Sequence, residues 1–586
     1  MLNQLHTAAD APWKQRFRVP RTLGTQIAMA NPDSGLVASN IAVVFQLYAW
    51  DVQSGDLRRL TNPPVGQLFG ALSPDARFVY YLNDALGNEI GHFVRIPYQG
   101  GDLEDITPDM PPYSPVGLSF SQSGNLIGMI VANPAGFHCY TLTLGPRLSF
   151  DGTITVLAST EKSGKMQFSA LALDTAGGTI AELWDGPETS VDPGLFAPIS
   201  GDTRLLASSN RSGVKRPLIW DVRSGERRDL DVGDLAGEIA PLDWSPDGRC
   251  VLLSQFADAT QQLYMYDLES NSLTRLDHPA GSFGEIYFVP SGAIFAQYQN
   301  STTPSRLIEL DATTGAQTRT VLAVGDAPPS RPWRSVTFNS SDGQVIQGWL
   351  AVPDGSGPFP TILETHGGPT SATTDSYAPN SQMWLDHGFA FLSINYRGST
   401  TFGKQFEEKI WHDLGHWEVE DMVAARDWLV EQGIAIPDAI LLTGWSYGGY
   451  LTLQALGTRP ELWAGGMAGI AIADWAVQHE DTADMLRGYQ EALFGGTPAQ
   501  QPARYAASSP ITYAAQVRAP VLIIQGRNDT RTPARPIEMY EATMKRLGKT
   551  ISVHWFETGH LGSFAQTDLA IQHQEMLLRF AYSVLG

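Results

Sequence analysis

The chain has 586 residues, which is too long for a single hydrophobic core, so two or more domains are expected. With 43% hydrophobic and 17% charged residues, it should be folded throughout. The formal charge of -22 argues against nucleic acid or an anionic membrane as a partner, because both would repel the chain.

The cysteines and the N-terminus bear on the compartment in which the protein works. Cys139 and Cys250 lie in apolar, strand-like segments, so we interpret them as core residues without a disulfide framework. The N-terminus lacks a basic start followed by an apolar run, and no stretch of about 18 apolar residues occurs. We therefore expect a soluble, cytoplasmic protein, and the sequence leaves open whether it forms homo-oligomers.

The N-terminal half carries a repeated pattern. After a short arm at residues 1–23, residues 24–325 contain short β-rich runs separated by polar turns. The repeated unit is a strand that closes on Asp, a turn and a second strand, as at Tyr48–Asp51, Leu218–Asp221, Tyr264–Asp267 and Leu307–Asp311, with weaker copies near Pro97, Leu142 and Trp184-Asp185. Seven such units, spaced by roughly 36 to 46 residues, predict a seven-bladed all-β propeller.

A Pro-rich connector begins near residue 326 and ends this pattern. Residues 326–586 start with a predicted hairpin and then alternate apolar strands with amphipathic helices. This alternation predicts a doubly wound, mainly parallel sheet with helices on both faces. In such sheets the functional residues lie at the carboxyl ends of the strands.

One of these strand ends is the segment Gly444-Trp445-Ser446-Tyr447-Gly448. A Gly-x-Ser-x-Gly pattern between a strand and a helix indicates a nucleophile elbow. The turn is so tight that side chains two residues before and two residues after the serine would collide, so both positions are glycine. Ser446 is thereby held out at the edge of the sheet, which makes the second domain an α/β hydrolase domain.

Two further strand ends carry the residues that a serine nucleophile requires. Asp529 follows the apolar strand at residues 521–524, and His560 follows the strand at residues 552–556. Because a serine hydroxyl is a weak nucleophile, His560 must accept its proton, and Asp529 must orient the imidazole and stabilise its cation. The order Ser, Asp, His is the one that this fold uses. We expect neither a cofactor nor a metal site.

A fourth strand end leads into His366-Gly367-Gly368-Pro369. Its glycines let backbone N–H groups face a developing oxyanion, together with the N–H of Tyr447 just after the nucleophile. The loop therefore supplies the electrophilic part of the predicted site.

These motifs, with the segment Asn395–Ser399 and the preceding propeller, resemble the prolyl oligopeptidase family of serine peptidases, and most of all its acylaminoacyl peptidase branch. The resemblance implies an active site between the two domains, with the propeller restricting entry to short peptides. It implies that the arm packs on the hydrolase domain. It also implies that Ser446, Asp529 and His560 form a catalytic triad. The two amides of the oxyanion hole would be those of Gly368 and Tyr447.

The resemblance also suggests substrate-binding residues. Arg531 lies where acylaminoacyl peptidases place an arginine that binds a substrate carbonyl, although a propeller acid such as Glu89 could equally pair with it. The segment at residues 473–495 is similar to the lining of the primary specificity pocket, with Trp475, Leu486 and Tyr489 as candidates. An ordinary core helix would explain the last three residues as well.

The leading hypothesis is a serine peptidase that hydrolyses short peptides through an acyl-enzyme on Ser446 and releases N-acylated amino acids. An oligopeptidase or a carboxypeptidase of the same family stays open. A dipeptidyl peptidase is less favoured because the propeller lacks an adjacent Glu-Glu pair for a free substrate amine. A carboxylesterase is less favoured because small esters need no entry filter. A binding scaffold is the weakest alternative, since every catalytic position holds a competent residue.

Overall fold

The computed structural model describes residues 2–121, 126–134, 136–142 and 147–586 of the chain. Within these residues, seven small antiparallel sheets follow one another, each built from strands that are consecutive in sequence, and this confirms the seven-bladed propeller. Six sheets have four strands and the third has three. The strands are β1 (Thr22–Ala28), β2 (Asn31–Ala42), β3 (Val44–Asp51), β4 (Leu57–Arg59), β5 (Ala71–Leu72), β6 (Phe78–Asp84), β7 (Gly91–Pro97), β8 (Glu104–Asp105), β9 (Ser114–Phe120), β10 (Ile127–Asn133), β11 (Gly136–Leu142), β12 (Arg147–Leu148), β13 (Ile154–Ser159), β14 (Ser169–Asp174), β15 (Thr179–Leu183), β16 (Val191–Phe196), β17 (Arg204–Ser209), β18 (Arg216–Asp221), β19 (Arg227–Asp229), β20 (Glu238–Trp244), β21 (Cys250–Ala257), β22 (Thr260–Asp267), β23 (Ser272–Arg275), β24 (Ser282–Phe288), β25 (Ile294–Asn300), β26 (Thr303–Leu310) and β27 (Gln317–Leu322).

The aspartate that recurs at the end of a third strand caps the turn that follows it. In the first blade, Asp51 Oδ1 accepts hydrogen bonds from the backbone N–H groups of Gln53 and Ser54 at 3.0 and 2.8 Å. Gly55 then adopts a φ of +81°, which glycine reaches without strain. The same aspartate-capped turn follows β18, β22 and β26. The repeat is thus a turn signal as much as a strand signal.

Two sequence-based interpretations of the propeller are wrong. Trp184-Asp185 lies after the outer strand of the fourth blade, and the third strand of that blade, β14, ends at Asp174 instead. The cysteines are not core residues, because Cys139 is exposed and Cys250 is half-buried. Both lie in strands, as predicted, but on β-strands an apolar neighbourhood in sequence does not decide which face of the sheet a residue occupies.

The N-terminal arm contacts the C-terminal domain. It contains helix α1 (Pro12–Phe17), whose Trp13 is 1% exposed and packs in a core cluster with Trp384 and Leu578. Lys14 Nζ lies 2.5 Å from Glu575 Oε2. The arm is therefore held by both apolar burial and an ion pair.

The C-terminal domain is built on one eight-stranded sheet with the order β28-β29-β31-β30-β32-β33-β34-β35. β28 and β29 pair in antiparallel fashion, β29 joins β31 antiparallel, and all the remaining pairs are parallel. The strands are β28 (Arg334–Asn339), β29 (Val345–Ala351), β30 (Phe359–Thr365), β31 (Ala390–Asn395), β32 (Ala435–Trp445), β33 (Gly465–Gly469), β34 (Val521–Gly526) and β35 (Ile551–Phe556). This is the predicted α/β hydrolase architecture.

Helices cover both faces of this sheet. They are α2 (Pro379–Asp386), α3 (Lys404–Glu408), α4 (Trp417–Glu431), α5 (Tyr447–Thr458), α6 (Trp475–Asp481), α7 (Asp484–Phe494), α8 (Pro502–Ala507), α9 (Ala534–Arg546), α10 (Gly562–Ala565) and α11 (Thr567–Leu585), with a 3-10 turn at Pro510–Tyr513. Neighbouring strand residues alternate between the two resulting cores, with Leu441 in one and Leu442 in the other. In the part of the chain that the structure describes, none of the helices combines the length and the apolar character needed to cross a bilayer.

Strand β33 is a central strand of this sheet that the sequence pattern does not predict. Its sequence, Gly-Gly-Met-Ala-Gly, lacks the branched and aromatic residues that mark strands. The reason is close packing: a Cβ on Gly469 would lie 2.3 Å from the Trp445 ring, and one on Gly466 would lie 2.4 Å from Leu456. The small residues of β33 therefore let the nucleophile strand and helix α5 approach the centre of the sheet.

We expect Gly444→Ala to destabilise the C-terminal domain, because the new Cβ would lie 2.4 Å from the backbone of Gly448 and neither backbone segment can yield. The expected loss is roughly 2 to 4 kcal/mol, measured by thermal or denaturant unfolding. Gly488→Ala is the matched control, since nothing lies within 4 Å of that position, and it should be neutral or slightly stabilising. Equal stability of the two variants would contradict the account of the turn.

Candidate active site

The nucleophile elbow is a one-residue turn between β32 and helix α5. Ser446 has φ 58° and ψ -120°, a strained conformation for a residue with a side chain, and its N–H donates to Gly469 O at 2.9 Å. A Cβ on Gly448 would lie 2.0 Å from Thr365 O of the neighbouring strand. The glycines around Ser446 are thus required by backbone contacts, and the serine is presented at the carboxyl edge of the sheet.

Asp529 and His560 meet at the same edge. His560 Nδ1 lies 2.8 Å from Asp529 Oδ2, and the two side chains are 8% and 0% exposed. Asp529 Oδ1 accepts the backbone N–H groups of Arg531 and Thr532 at 2.9 and 2.8 Å. Since a carboxylate only accepts, Nδ1 carries the proton and Nε2 is left as the proton acceptor. Ser446 and His560 line one cavity of about 160 Å³.

Thr532 is a contributor to this site that sequence analysis missed. Its hydroxyl donates to Asp529 Oδ2 at 2.9 Å and lies 3.3 Å from His560 Nδ1. The carboxylate thus receives three donors besides the imidazole, and they fix its orientation.

The predicted oxyanion loop lies directly against the nucleophile. A Cβ on Gly367 would be 3.1 Å from Trp445 O and 3.4 Å from the Cβ of Ser446. Gly368 has a φ of +137° and lines the cavity together with Ser446 and Tyr447. The structure therefore brings both predicted amide donors to the serine, and their role in binding an oxyanion stays a prediction.

A second set of contacts holds the oxyanion loop from behind. Tyr396 stacks on His366 with the ring centroids 4.4 Å apart, and its hydroxyl donates to His366 O at 2.8 Å. Burial lowers the pKa of His366 to about 4, so the ring is neutral at physiological pH.

Glu418 supports the elbow from inside the domain. It is fully buried, its Oε1 accepts the Tyr447 hydroxyl at 2.6 Å, and its Oε2 accepts the N–H of Gly415 at 3.0 Å. Tyr447 is the residue whose N–H is the predicted oxyanion donor. Sequence analysis missed this role, although helical spacing puts Glu418 on the same face as buried Met422 and Ala425.

The predicted specificity residues also reach the cavity. Trp475, Leu486 and Tyr489 line it together with Ser446, and Trp475 packs against Tyr447 with the ring centroids 6.1 Å apart. These side chains make most of the wall aromatic or apolar, but three polar residues that sequence analysis did not select, Gln478, Gln490 and Thr532, line the same cavity.

Arg531 lies between the two domains. Its Nε donates to Glu89 Oε2 at 2.7 Å and its Nη2 to Glu89 Oε1 at 2.5 Å, so the pairing with a propeller acid is present. Burial alone would lower the pKa of the guanidinium, but the hydrogen bond to Glu89 keeps it above its ordinary value. Arg531 also lines the cavity of Ser446, and its guanidinium has five N–H donors, of which the bonds to Glu89 use two.

The propeller holds the Asp529 loop through further contacts from the turn between β6 and β7. Asn528 Nδ2 donates to Ala85 O and the Thr530 hydroxyl to Asn88 O, each at 2.8 Å. A Cβ on Gly559 would lie 1.9 Å from Gly87 O, so the His560 loop touches the same turn. One propeller turn therefore contacts both loops that carry the predicted acid and base.

Residues 375–586 match the model of the prolyl oligopeptidase family. The chain carries a prolyl oligopeptidase family domain. The match includes all three predicted triad residues and confirms the resemblance that the sequence motifs indicate.

The curated proteins that are similar to this domain are named for different peptidase activities. The chain is 31% identical to dipeptidyl aminopeptidase BIII of Pseudoxanthomonas mexicana over 222 residues, which are 35% of this chain and 32% of that protein. It is 25% identical to the human acylamino-acid-releasing enzyme over 339 residues, which are 52% of this chain and 44% of that protein. The chain thus spans less than half the length of these curated relatives.

Solved structures share the whole fold. The crystal structure of puromycin hydrolase covers 99% of this chain and 97% of its own, with a TM-score of 0.82 and 18% identity. The acylaminoacyl peptidase of Pyrococcus horikoshii covers 97% of this chain and 96% of its own, with a TM-score of 0.71 and 15% identity. At this identity the likeness supports the two-domain fold alone.

We expect Glu418→Gln to lower kcat about tenfold with little change in KM. At pH 9, where the ionised Glu418 accepts from both Tyr447 and Gly415, the amide of the variant can still accept from Tyr447, but its NH2 group faces the N–H of Gly415 and the elbow shifts. Steady-state kinetics on an amide substrate measure the effect. Glu420→Gln is the matched control, because Glu420 pairs with Arg459 away from the cavity. A change in KM alone, or equal losses in both variants, would contradict this role.

Glu418 should also make stability depend on pH. Burial raises its pKa from 4.5 to about 8, so between these values the folded state holds a proton that the unfolded state releases. The stabilisation from this group is full below pH 4.5 and is lost as pH rises towards 8. At each pH the Tm of the unmutated protein is subtracted from the Tm of Glu418→Gln. We expect this difference to increase by about 2 °C or more between pH 5 and pH 8. A constant difference would show that Glu418 does not titrate in this range.

Proposed function

We propose that the protein is a serine peptidase that hydrolyses short peptides through an acyl-enzyme on Ser446 and releases N-acylated amino acids. Ser446 Oγ attacks the scissile carbonyl while His560 Nε2 takes its proton, and Asp529 stabilises the imidazolium. The N–H groups of Gly368 and Tyr447 receive the oxyanion. His560 then gives the proton to the leaving amine, and water, activated by His560, releases the acyl group from Ser446.

The hydrolytic part of this proposal rests on the Asp529–His560 hydrogen bond beside Ser446 in one cavity. Each of the three side chains comes from a different strand end, and their roles are those that acyl transfer requires. The match to the prolyl oligopeptidase family and the peptidase relatives support the same reaction.

The preference for a blocked N-terminus rests on the pairing of Arg531 with Glu89. A free substrate amine needs an unpaired carboxylate, but the Glu89 carboxylate is already bound on both oxygens. The nearby Asp84 accepts the N–H of Glu89 at 2.7 Å. A free carboxylate on the substrate would likewise meet an arginine whose charge is balanced. A neutral acyl oxygen needs only an N–H donor, which Arg531 still offers.

The proposal is tested by identifying the products of one short peptide, supplied with an acetylated and with a free N-terminus, by mass spectrometry. Ser446→Ala serves as the blank. If the acetylated form alone loses its first, blocked residue, the proposal stands. If both forms are cut alike at an internal bond or at the C-terminus, the enzyme is an oligopeptidase or a carboxypeptidase. Removal of two residues from the free form alone would indicate a dipeptidyl peptidase, and cleavage of esters but not peptides a carboxylesterase.

We expect Arg531→Ala to lower kcat/KM for an acetylated peptide about 10- to 100-fold, mainly through a higher KM, because a charged hydrogen bond to the substrate is lost. Hydrolysis of a small ester such as p-nitrophenyl acetate should persist, since it needs only the groups around Ser446. Arg535→Ala is the control, because Arg535 pairs with Glu480 and Asp481 at the surface. Unchanged peptide kinetics in Arg531→Ala would remove Arg531 from substrate binding.

A further inference from the structure

Two glutamines in the cavity beside Ser446 have hydrogen-bonding groups without a partner. Gln478 lies on helix α6 and is 1% exposed, and Gln490 lies on helix α7 and is 4% exposed. Both line the cavity, and the Oε1 atom of each is buried without a hydrogen-bond partner among the described residues. Buried polar groups in folded proteins nearly always have a partner, so two such oxygens at one cavity call for an explanation.

The amide of Gln478 is fixed in orientation. Its Nε2 donates to the backbone oxygen of Arg531 at 2.5 Å, so the amide cannot be turned round without placing two oxygens together. The unpaired atom of Gln478 is therefore an acceptor. A bound group that donates a hydrogen bond can pair with this oxygen, whereas a bound group that only accepts hydrogen bonds cannot.

The other residues around the cavity limit what that donor can be attached to. Trp475, Leu486 and Tyr489 provide aromatic and apolar walls, which favour a flat apolar ring. Among the described lining residues, the charged or titrating side chains besides tyrosine are Arg531 and His560, and Asp and Glu are absent. A cationic side chain would find no carboxylate among these lining residues, so the chemistry fits a neutral donor.

We propose that Gln478 and Gln490 select a substrate whose side chain next to the scissile bond is an aromatic ring with a neutral hydrogen-bond donor, as in tyrosine. This inference rests on the proposed function and adds the side-chain class to it. A ring that fills the cavity without a donor, such as that of phenylalanine, leaves the fixed acceptor of Gln478 buried and unpaired, whereas the single hydroxyl hydrogen of tyrosine can pair with it. Sites that are built to hydrogen-bond a hydroxyl discriminate strongly against the analogue that lacks it.

The first test measures how fast the unmutated protein hydrolyses three substrates, the N-acetylated amides of tyrosine, phenylalanine and 4-aminophenylalanine. We expect kcat/KM for the tyrosine and 4-amino substrates to exceed that for phenylalanine by about tenfold or more. If the phenylalanine and tyrosine amides are cleaved alike, or phenylalanine is preferred, this inference is overturned while the proposed function stands. If none of the acetylated amides is cleaved, the proposed function fails and this inference fails with it.

The second test assigns the preference to the glutamines. Gln490→Leu should reduce the ratio of tyrosine to phenylalanine kcat/KM about fivefold, because it removes a polar group that faces the tyrosine hydroxyl. Its Tm should not fall, because the change removes an unpaired buried group. Gln478→Leu, which also loses the bond to Arg531, is the second variant. Gln432→Leu, at an exposed position on the end of helix α4, is the control. An unchanged ratio in both cavity variants would overturn the assignment.

Discussion

The ion pair between Arg531 and Glu89 is the contact on which the arrangement of the site depends. It joins the propeller to the loop of Asp529 and balances the charge of Arg531, which lines the cavity. Ion pairs that are partly removed from water cost desolvation energy, so their value lies in geometry and specificity more than in stability. Here Arg531 lines the cavity of Ser446, and both carboxylate oxygens of Glu89 are already bound.

The second constraint comes from the parallel sheet, which brings the ends of separate strands together at one edge. Ser446, Asp529 and His560 follow β32, β34 and β35, and parallel strands bring their carboxyl ends to one edge. The glycines of the elbow and of β33 allow the backbone to pack closely enough for the serine to stand clear of the sheet. Behind it, Glu418 and Tyr447 form a buried hydrogen bond that links the elbow to helix α4. The residues of the predicted triad are therefore held at strand ends, and the predicted specificity residues lie on helices α6 and α7.

Much of this arrangement could be predicted from the sequence because it rests on local signals. The elbow requires glycine at two fixed positions, and the aspartate-capped turns recur at a fixed period. β33 could not be predicted in the same way, since its glycines and alanine carry no strand preference and are explained only by tertiary contacts, such as those of Gly469 with Trp445 and of Gly466 with Leu456. The two cysteines were assigned to the core from their neighbours, but the face of a strand is decided by tertiary packing. Gln478 and Glu418 act through partners more than 25 residues away, which composition and spacing do not reveal.

We propose that the site accepts an uncharged N-terminus because the carboxylate of Glu89 is already paired with Arg531. The most direct measurement is kcat/KM for one peptide with an acetylated and with a free N-terminus, from pH 6 to 9.5. A free α-amine loses its charge at a pKa of about 8. We expect the advantage of the acetylated form to fall about tenfold for each unit by which the pH rises towards that pKa, and to level off above it. A ratio that does not change with pH, or a preference for the free form at pH 6, would contradict the account, because the site would then bind an ammonium group.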